Sequence, residues 1–351
     1  MVAVTFADLW FRARQFLIAV VGVGLVLAVA LAITGLADGF HAEIQKFVDE
    51  SGASSWVMAK SAEGRLTPFA AFPASDVSTI ARQPGVREAS PLVFAASQVV
   101  HANGSATPVT VNFVGVAPGG LVAPHVVSGH GITGPGQAVV DSKVSTQLGS
   151  KITVTGGHAF TVVGVVDGAT MTGGIPLVYM PVAAVDQVVT GGRPLITAIA
   201  VRGTPTHVPA GLVVLAPSTV IADTMGQLKA AVSSIDSSRW LMWIIAAVIV
   251  AAMLYVAALE RKRDFAVLKA LGSSSRTLFF SLVLEAIVVT LLAAVLAELV
   301  ASLLIPTFAQ PVDITLDARL ALPLVAVVVG AVASIAALRR VTGADPAAAF
   351  S

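Results

Sequence analysis

The sequence contains no cysteine, and only 12% of its 351 residues are charged. The absence of cysteine excludes disulfide bonds, zinc sites with thiolate ligands and thiol catalysis, although it does not identify the cellular compartment. A formal net charge of +1 lacks the basic excess that is typical of proteins that bind nucleic acid. These absences remove several classes of enzyme and binding protein from consideration.

Nucleotide-binding and hydrolase motifs are also missing. No G-x-x-x-x-G-K-[ST] pattern occurs, so a partner would have to supply any ATP site. The chain likewise lacks H-E-x-x-H and G-x-S-x-G, and no S-x-x-K falls within residues 37–238. The six histidines are scattered, and the pair His125 and His130 favours a solvated loop over a metal site. We therefore expect a non-catalytic chain that holds no metal of its own.

Apolar residues are abundant instead. They make up 56% of the chain, and the mean hydropathy of +0.87 is too high for a soluble protein of this size. About 20 apolar residues cross a hydrocarbon core. Four runs qualify as spans: residues 16–36, 239–259, 277–305 and 320–338. A signal peptide competes for the first run, because Ala28-Val29-Ala30 resembles a cleavage site, but the run continues to Leu36 and favours an uncleaved anchor.

Basic residues are concentrated in three short segments. Residues 1–15, 260–276 and 339–351 carry nine of the 21 Lys and Arg, whereas the much longer stretch 37–238 carries ten. The positive-inside rule places these three segments in the cytoplasm and residues 37–238 outside the cell membrane, with both termini inside. Within this topology, residues 1–15 are predicted to form an interfacial helix. Residues 306–319 form an external loop, and residues 339–351 form a cytoplasmic tail.

Residues 37–238 are predicted to form a mixed α/β domain carried on helical stalks. Runs rich in Val and Ile predict strands at 55–58, 109–116, 152–154, 160–166, 177–180 and 196–201, and helices are predicted at 74–82 and 181–189. Apolar repeats predict stalks at about 37–48 and 220–238, the second continuing as one helix from Val220 to Leu259. The alternative is that these apolar stripes face the core of the domain. The predicted fold is therefore an α-helical membrane protein with four transmembrane helices and a mixed α/β extracytoplasmic domain on helical stalks.

The most informative segment is ERKRDFAVLKALGSSSR, residues 260–276, which lies between two predicted spans. Phe265, Leu268 and Leu271 fall on one helical face, and Gly272 is a helix terminator. One interpretation is a cytoplasmic loop whose positive charge fixes the topology. The other is a short helix on which a soluble partner docks.

Polar residues near the predicted membrane boundary are candidates for ligand binding. Glu285 and Glu298 interrupt the third span, and carboxylates at membrane depth usually face a bundle interior or a wet cavity. Asp38, His41 and Glu43 cluster beyond the first span. They are interpreted either as a polar boundary or as groups that hold an amphipathic ligand or coordinate its metal.

Three stretches resemble the FtsX/MacB-type permeases of ATP-binding cassette (ABC) systems. The most specific is YVAALERKRDFAVLKALGSSSRTLFFSLVLEA at 255–286, which is similar to the family's segment before a carboxylate-bearing third membrane helix. The closing ADPAAAF at 344–350 resembles the family's DPxxA tail. Residues 137–168 resemble its extracytoplasmic segment. The resemblance covers the whole chain.

This resemblance implies a homodimer in the lipid membrane that is joined to two copies of a cytoplasmic ATPase, which binds ATP and Mg. The ATPases would push the 260–276 segment and thereby move the external stalks, a mechanism called mechanotransmission. The implied contacts with the ATPase are Arg261, Arg263, Asp264, Phe265, Leu268 and Lys269.

Within the family, the short exported domain and the GLADGF passage at 35–40 most resemble the DevC- and HrtB-like permeases, and the HrtB type exports haem. Chemistry and predicted depth give the candidate substrate-binding residues as Asp38, His41, Glu43, Met225 and Glu298. Export of an amphipathic compound such as haem is the leading hypothesis. The alternatives are an FtsX-like signal transducer that activates an external cell-wall hydrolase, and extraction of a lipid or lipoprotein.

Overall fold

The computed structural model describes residues 13–102, 108–154, 156–260, 275–308, 310 and 312–342. The chain divides into two compact units. The membrane unit comprises residues 1–38 and 231–351, and the α/β unit comprises residues 39–230.

The first described element is helix α1, Ala13–Glu50. Its sequence contains no proline, and residues 15–37 carry no charge, so no residue removes a donor from the backbone ladder. The helix ends where Gly52 adopts φ +61° and donates its N–H to the Asp49 carbonyl oxygen. At 1.5 Å per residue, its 38 residues extend about 57 Å, whereas the hydrocarbon core of a bilayer is about 30 Å thick.

Strands and short helices of the α/β unit follow. The first half contains β1 Ser55–Ala59, β2 Phe72–Pro73, α2 Asp76–Ala81, β3 Val86–Ala102, β4 Val109–Val116, β5 Ser128–Gly129 and β6 Gln137–Asp141. The second half contains β7 Lys151–Val154, β8 Ala159–Val166, β9 Thr170–Met171, β10 Ile175–Pro181, α3 Val182–Val189, β11 Leu195–Ile196, β12 Ala198–Gly203, β13 Leu212–Leu215 and α4 Pro217–Gly226.

Eleven of these strands form one mixed sheet, and β2 pairs separately with β11. The sheet order is β13-β1-β12-β3-β4-β10-β6-β8-β5, with β7 joined to β3 and β8, and β9 joined to β10. β10 therefore lies in the interior of the sheet, parallel to β4 on one side and antiparallel to β6 on the other. The sheet contributes the fully buried core side chains Trp56, Phe113 and Met180.

The helix predicted from Val220 to Leu259 is instead two helices. α4 ends at Gly226, residues 227–228 form a turn, and α5 runs over Lys229–Glu260. Glycine destabilises a helix interior by about 1 kcal/mol relative to alanine, which favours a break at this point. The second predicted stalk, at about 220–238, is thus interrupted by this turn.

Helix α5 belongs mainly to the membrane unit, together with α6 Ser275–Leu304 and α7 Leu316–Thr342. These helices and α1 share one buried apolar cluster, which includes Leu27, Val250, Ala297 and Leu322. Small residues allow a close approach in this cluster: a Cβ on Gly24 would lie 2.9 Å from Leu296 Cδ2 and 3.1 Å from the Ala293 carbonyl oxygen.

Three helical stretches among the described residues are long and apolar enough to span a membrane. They are Phe16–Glu50, Lys229–Ala252 and Val283–Leu304. The fourth predicted span, residues 320–338, falls within α7 and stays a prediction. The predicted interfacial helix at 1–15 and the tail at 339–351 lie largely outside the described residues.

Candidate functional site

Asp38 lies in the membrane unit, where it binds the residue that caps α7. Thr315 precedes this helix, and its Oγ1 accepts a hydrogen bond from the N–H of Ala318, which caps the helix. The same hydroxyl donates to Asp38 Oδ2 at 3.0 Å. Close by, the N–H of Asp313 donates to the Gly35 carbonyl oxygen at 2.9 Å, and a Cβ on Gly35 would lie 2.8 Å from Val312 Cγ1. The absence of a side chain at Gly35 therefore allows residues 312–314 to lie against α1.

Glu298 also binds the beginning of α7. Its Oε1 lies 3.2 Å from Arg319 Nη1, and both side chains are partly exposed. The structure therefore brings two predicted substrate residues, Asp38 and Glu298, to one helix terminus and gives each a partner there. Glu285, on the same helix as Glu298, is buried.

Glu43 lies in the α/β unit and is 7% exposed. Its carboxylate accepts hydrogen bonds from the Thr170 hydroxyl, from the N–H of Gly173 at 3.0 Å and from the N–H of Gly174 at 2.8 Å. A buried carboxylate is costly unless its oxygens are hydrogen-bonded, and these three donors meet that need. Glu43 therefore fixes helix α1 to the chain around residues 170–174.

Lys46 contacts the same stretch of chain one turn further along α1. Its Nζ donates to the carbonyl oxygens of Asp167 and Gly168 at 3.2 and 3.1 Å. Glu43 and Lys46 thus contact opposite ends of residues 167–174, which are called the 167–174 segment below.

Side chains of the sheet hold this segment from the other side. Asn112 of β4 is fully buried and donates to Thr172 Oγ1 at 2.8 Å. Asp141, at the end of β6, is also fully buried and accepts the N–H groups of Ala169 at 2.7 Å and Lys143 at 2.9 Å. Three buried polar side chains from three elements therefore converge on eight residues.

This arrangement holds a chain segment in place rather than presenting reactive groups. The oxygens of Glu43 and Asp141 already accept main-chain and hydroxyl donors, so they are poor candidates for a substrate ligand. Within the described part of the chain, no three His, Asp or Glu side chains are grouped so that they could hold a metal ion. Of the other predicted substrate residues, His41 is exposed and Met225 is half-buried. The predicted ATPase contacts at 261–269 lie outside the described residues.

The interaction of the 167–174 segment with Glu43 was missed at the sequence level. The pattern did contain a turn signal, because Asp167-Gly168 and Gly173-Gly174 are residue pairs that favour turns. It did not indicate a partner, since Glu43 and Thr170 are 127 positions apart.

Comparisons with known proteins extend these observations to the whole chain. Residues 16–231 match the MacB-like periplasmic core domain, and residues 239–346 match the FtsX-like permease C-terminal domain. An uncharacterised ABC transporter permease of Mycobacterium tuberculosis strain H37Rv is 38% identical over 343 residues, which cover 98% of this chain and 97% of the relative. The chain belongs to the FtsX/MacB-type ABC transporter permeases.

A second relative agrees with this family. A second uncharacterised ABC transporter permease of the same M. tuberculosis strain is 35% identical over 98% of this permease and 97% of its own length. The periplasmic region of MacB from Actinobacillus actinomycetemcomitans is 16% identical, with a TM-score of 0.36 over 48% of this permease and 92% of that chain. As a member of this family, the permease is a membrane protein with an extracytoplasmic domain that acts with an ATPase subunit.

The buried carboxyl of Asp141 gives the permease a predictable pH response. Burial raises the pKa of Asp141 above its ordinary value, as does the nearby carboxylate of Asp167, although the N–H groups of Lys143 and Ala169 and the charge of Lys143 lower it. A raised pKa in the folded state contributes stability that is complete below pH 3.8 and is lost as the pH rises through the raised value.

We therefore expect wild-type permease to lose more unfolding free energy than Asp141→Asn as the pH rises from 3.8, because the asparagine does not titrate. Urea unfolding of the full chain in detergent at a series of pH values measures this difference. A constant difference between the two proteins across the range would contradict the assigned direction.

Proposed function

We propose that this permease works by mechanotransmission in an ATP-driven exporter and extrudes an amphipathic compound from the membrane. The assembly is a homodimer with four membrane spans in each protomer and two copies of the ATPase. Both termini and residues 260–276 face the cytoplasm, where ATP binding and hydrolysis move the 260–276 segment. The permease transmits this movement and leaves hydrolysis to its partner.

The observation that carries this proposal is the length and attachment of α1. The helix is roughly twice as long as a hydrocarbon core is thick, and its last residues are hydrogen-bonded within the α/β unit through Glu43 and Lys46. A continuous helix passes an axial displacement along its length because each turn is hydrogen-bonded to the next. Force applied at the cytoplasmic side therefore has a path to the extracytoplasmic sheet.

The ATPase acts on the 260–276 segment, which joins α5 to α6 in the sequence, and these two helices pack with α1 in one buried cluster. Phe265 and Leu268 supply an apolar contact for a groove on the ATPase. Arg261, Arg263, Asp264 and Lys269 supply charges around it, an arrangement typical of an interface with an apolar centre and a polar rim.

Haem is the most specific candidate for the amphipathic substrate, by resemblance to the HrtB-like permeases. Asp38, Glu43 and Glu298 already bind partners within the fold. Among the predicted substrate residues, His41 and Met225 are therefore the better candidates for haem ligands. Imidazole and thioether are both axial ligands of haem iron. His41 is the stronger candidate because it is exposed.

Haem titration of the purified permease with its ATPase tests this substrate. We expect a saturable change in the Soret band, with an affinity that falls at least about tenfold in His41→Ala, or about 1.4 kcal/mol. His158→Ala, another exposed histidine of the α/β unit, is the matched control and should bind haem as wild type does.

Unchanged affinity in His41→Ala would remove His41 as a ligand. No saturable binding by the intact complex would overturn haem as the substrate. It would move lipid extraction and the control of an external cell-wall hydrolase ahead of haem export.

A further inference from the structure

We infer that the 167–174 segment is a coupling bridge between helix α1 and the centre of the extracytoplasmic sheet, and that Glu43 is its positioning residue. This inference rests on the proposed mechanotransmission and names a polar contact through which movement leaves α1. It assigns to Glu43 a role in force transfer rather than in substrate binding.

On the helix side, the bridge is held at both of its ends. Glu43 accepts the Thr170 hydroxyl and the N–H groups of Gly173 and Gly174, whereas Lys46 donates to the carbonyl oxygens of Asp167 and Gly168. The two side chains bind opposite ends of the segment, so the contact resists a shift of the segment in either direction along α1. Hydrogen bonds to charged groups are stronger than those between neutral groups, which suits a contact under load.

On the sheet side, the bridge is continuous with interior strands. Thr170 and Met171 form β9, which pairs with the start of β10, and β10 lies between β4 and β6. Asn112 of β4 and Asp141 of β6 bind the segment independently of β10. A displacement of the segment is therefore delivered to three adjacent strands at once.

The conformation of the bridge is costly without these contacts. Thr172 has φ +58°, a left-handed conformation that is unfavourable for a β-branched residue, and Gly173 and Gly174 have φ +90° and +87°. Together these torsions aim two successive N–H groups at Glu43, while Asn112 binds the hydroxyl of Thr172. Strained backbone of this kind persists only where its surroundings hold it.

Apolar packing also joins α1 to the sheet, because Phe47 and Val48 lie in the buried core of the α/β unit. The directional polar contacts in addition define one position of the helix against the sheet. A contact of this type moves as a unit until a hydrogen bond breaks, whereas apolar surfaces can slide.

Distance measurements between spin labels test the bridge, and the absence of native cysteine allows labels at chosen positions. One pair joins Gln45→Cys on α1 to Thr110→Cys on β4, both exposed and both within the α/β unit. A second pair joins Gln45→Cys to Leu303→Cys at the end of α6 and reports movement of α1 relative to that helix. The full complex with its ATPase is compared without nucleotide and after trapping with MgATP and vanadate, with unlabelled protomers in excess.

In the wild-type background, we expect the 45–303 distance to change on trapping while the 45–110 distance stays constant. In Glu43→Gln, one carboxylate oxygen is replaced by an NH2 group, which cannot accept a hydrogen bond from the N–H donors. The 45–110 distance should therefore shift or broaden on trapping. Glu63→Gln removes an exposed carboxylate of the same unit and should behave as wild type. Thr170→Val keeps the side-chain volume and carries the same test if Glu43→Gln does not fold.

A 45–110 distance that changes in the wild type, or that stays constant in both bridge variants, would overturn the coupling role alone. A 45–303 distance that never responds to nucleotide would overturn the proposed mechanotransmission, and the coupling role with it.

Discussion

Replacing Phe265 and Leu268 together by aspartate is expected to abolish co-purification of the ATPase with the permease. The two side chains fall on one face of the predicted 260–276 helix, and an aspartate on that face would place a charge in the apolar centre of the interface. Loss of the two central apolar side chains, each worth about 2 kcal/mol or more at an interface hot spot, is enough to reduce binding by a factor of about 1,000.

Membrane insertion and the folding of the α/β unit should be unaffected, because no described residue of that unit lies within 260–276. Ser273→Asp with Ser275→Asp adds the same charge outside the predicted contact set and serves as the matched control. Pull-down from solubilised membranes measures both variants. If the Phe265 and Leu268 variant still co-purifies with the ATPase, the 260–276 segment is not the docking site and the prediction is wrong.

Glu43→Leu is expected to destabilise the α/β unit strongly. The substitution removes the acceptor of the Thr170 hydroxyl and of the N–H groups of Gly173 and Gly174, and burial limits the access of water to them. An unsatisfied buried donor costs about 1–3 kcal/mol, so three that relax partly should reduce the unfolding free energy by about 3–5 kcal/mol.

Urea unfolding of the full chain in detergent measures this loss. Trp56 is fully buried in β1 and reports on the α/β unit when the other three tryptophans are replaced by phenylalanine. Asp49→Leu changes an exposed carboxylate on the same helix and should shift the unfolding free energy by less than about 0.5 kcal/mol. Equal stability of the two variants would show that the donors find other partners.

The strands that could be predicted are those with a clear hydrophobic pattern in consecutive residues. β4 begins and ends at the predicted residues, and β8 differs by one, because Val-rich runs with polar neighbours mark them clearly. β3, the longest strand, was not predicted. Pro91 lies within it, and a proline normally argues against an interior strand. Its small residues and the register shift between Ala95 and Gln98 further weaken the alternation.

The family and the membrane character followed from long apolar runs and from one charged segment, both of which are continuous in sequence. The surroundings of the candidate residues did not. Asp38, Glu43 and Glu298 were selected as ionisable groups near the membrane boundary, yet their partners are set by tertiary contacts. A polar residue that stabilises the fold and one that binds a ligand carry the same local signature, so only three-dimensional structure separates them.

The uninterrupted course of α1 also restricts how its sequence can change. Glu43 and Lys46 contact one chain segment from adjacent turns of the helix. A residue inserted between them would turn Lys46 by about 100° around the helix axis, away from the carbonyl oxygens of Asp167 and Gly168. An insertion before Glu43 leaves both contacts intact, so the length of α1 can change there without loss of the bridge.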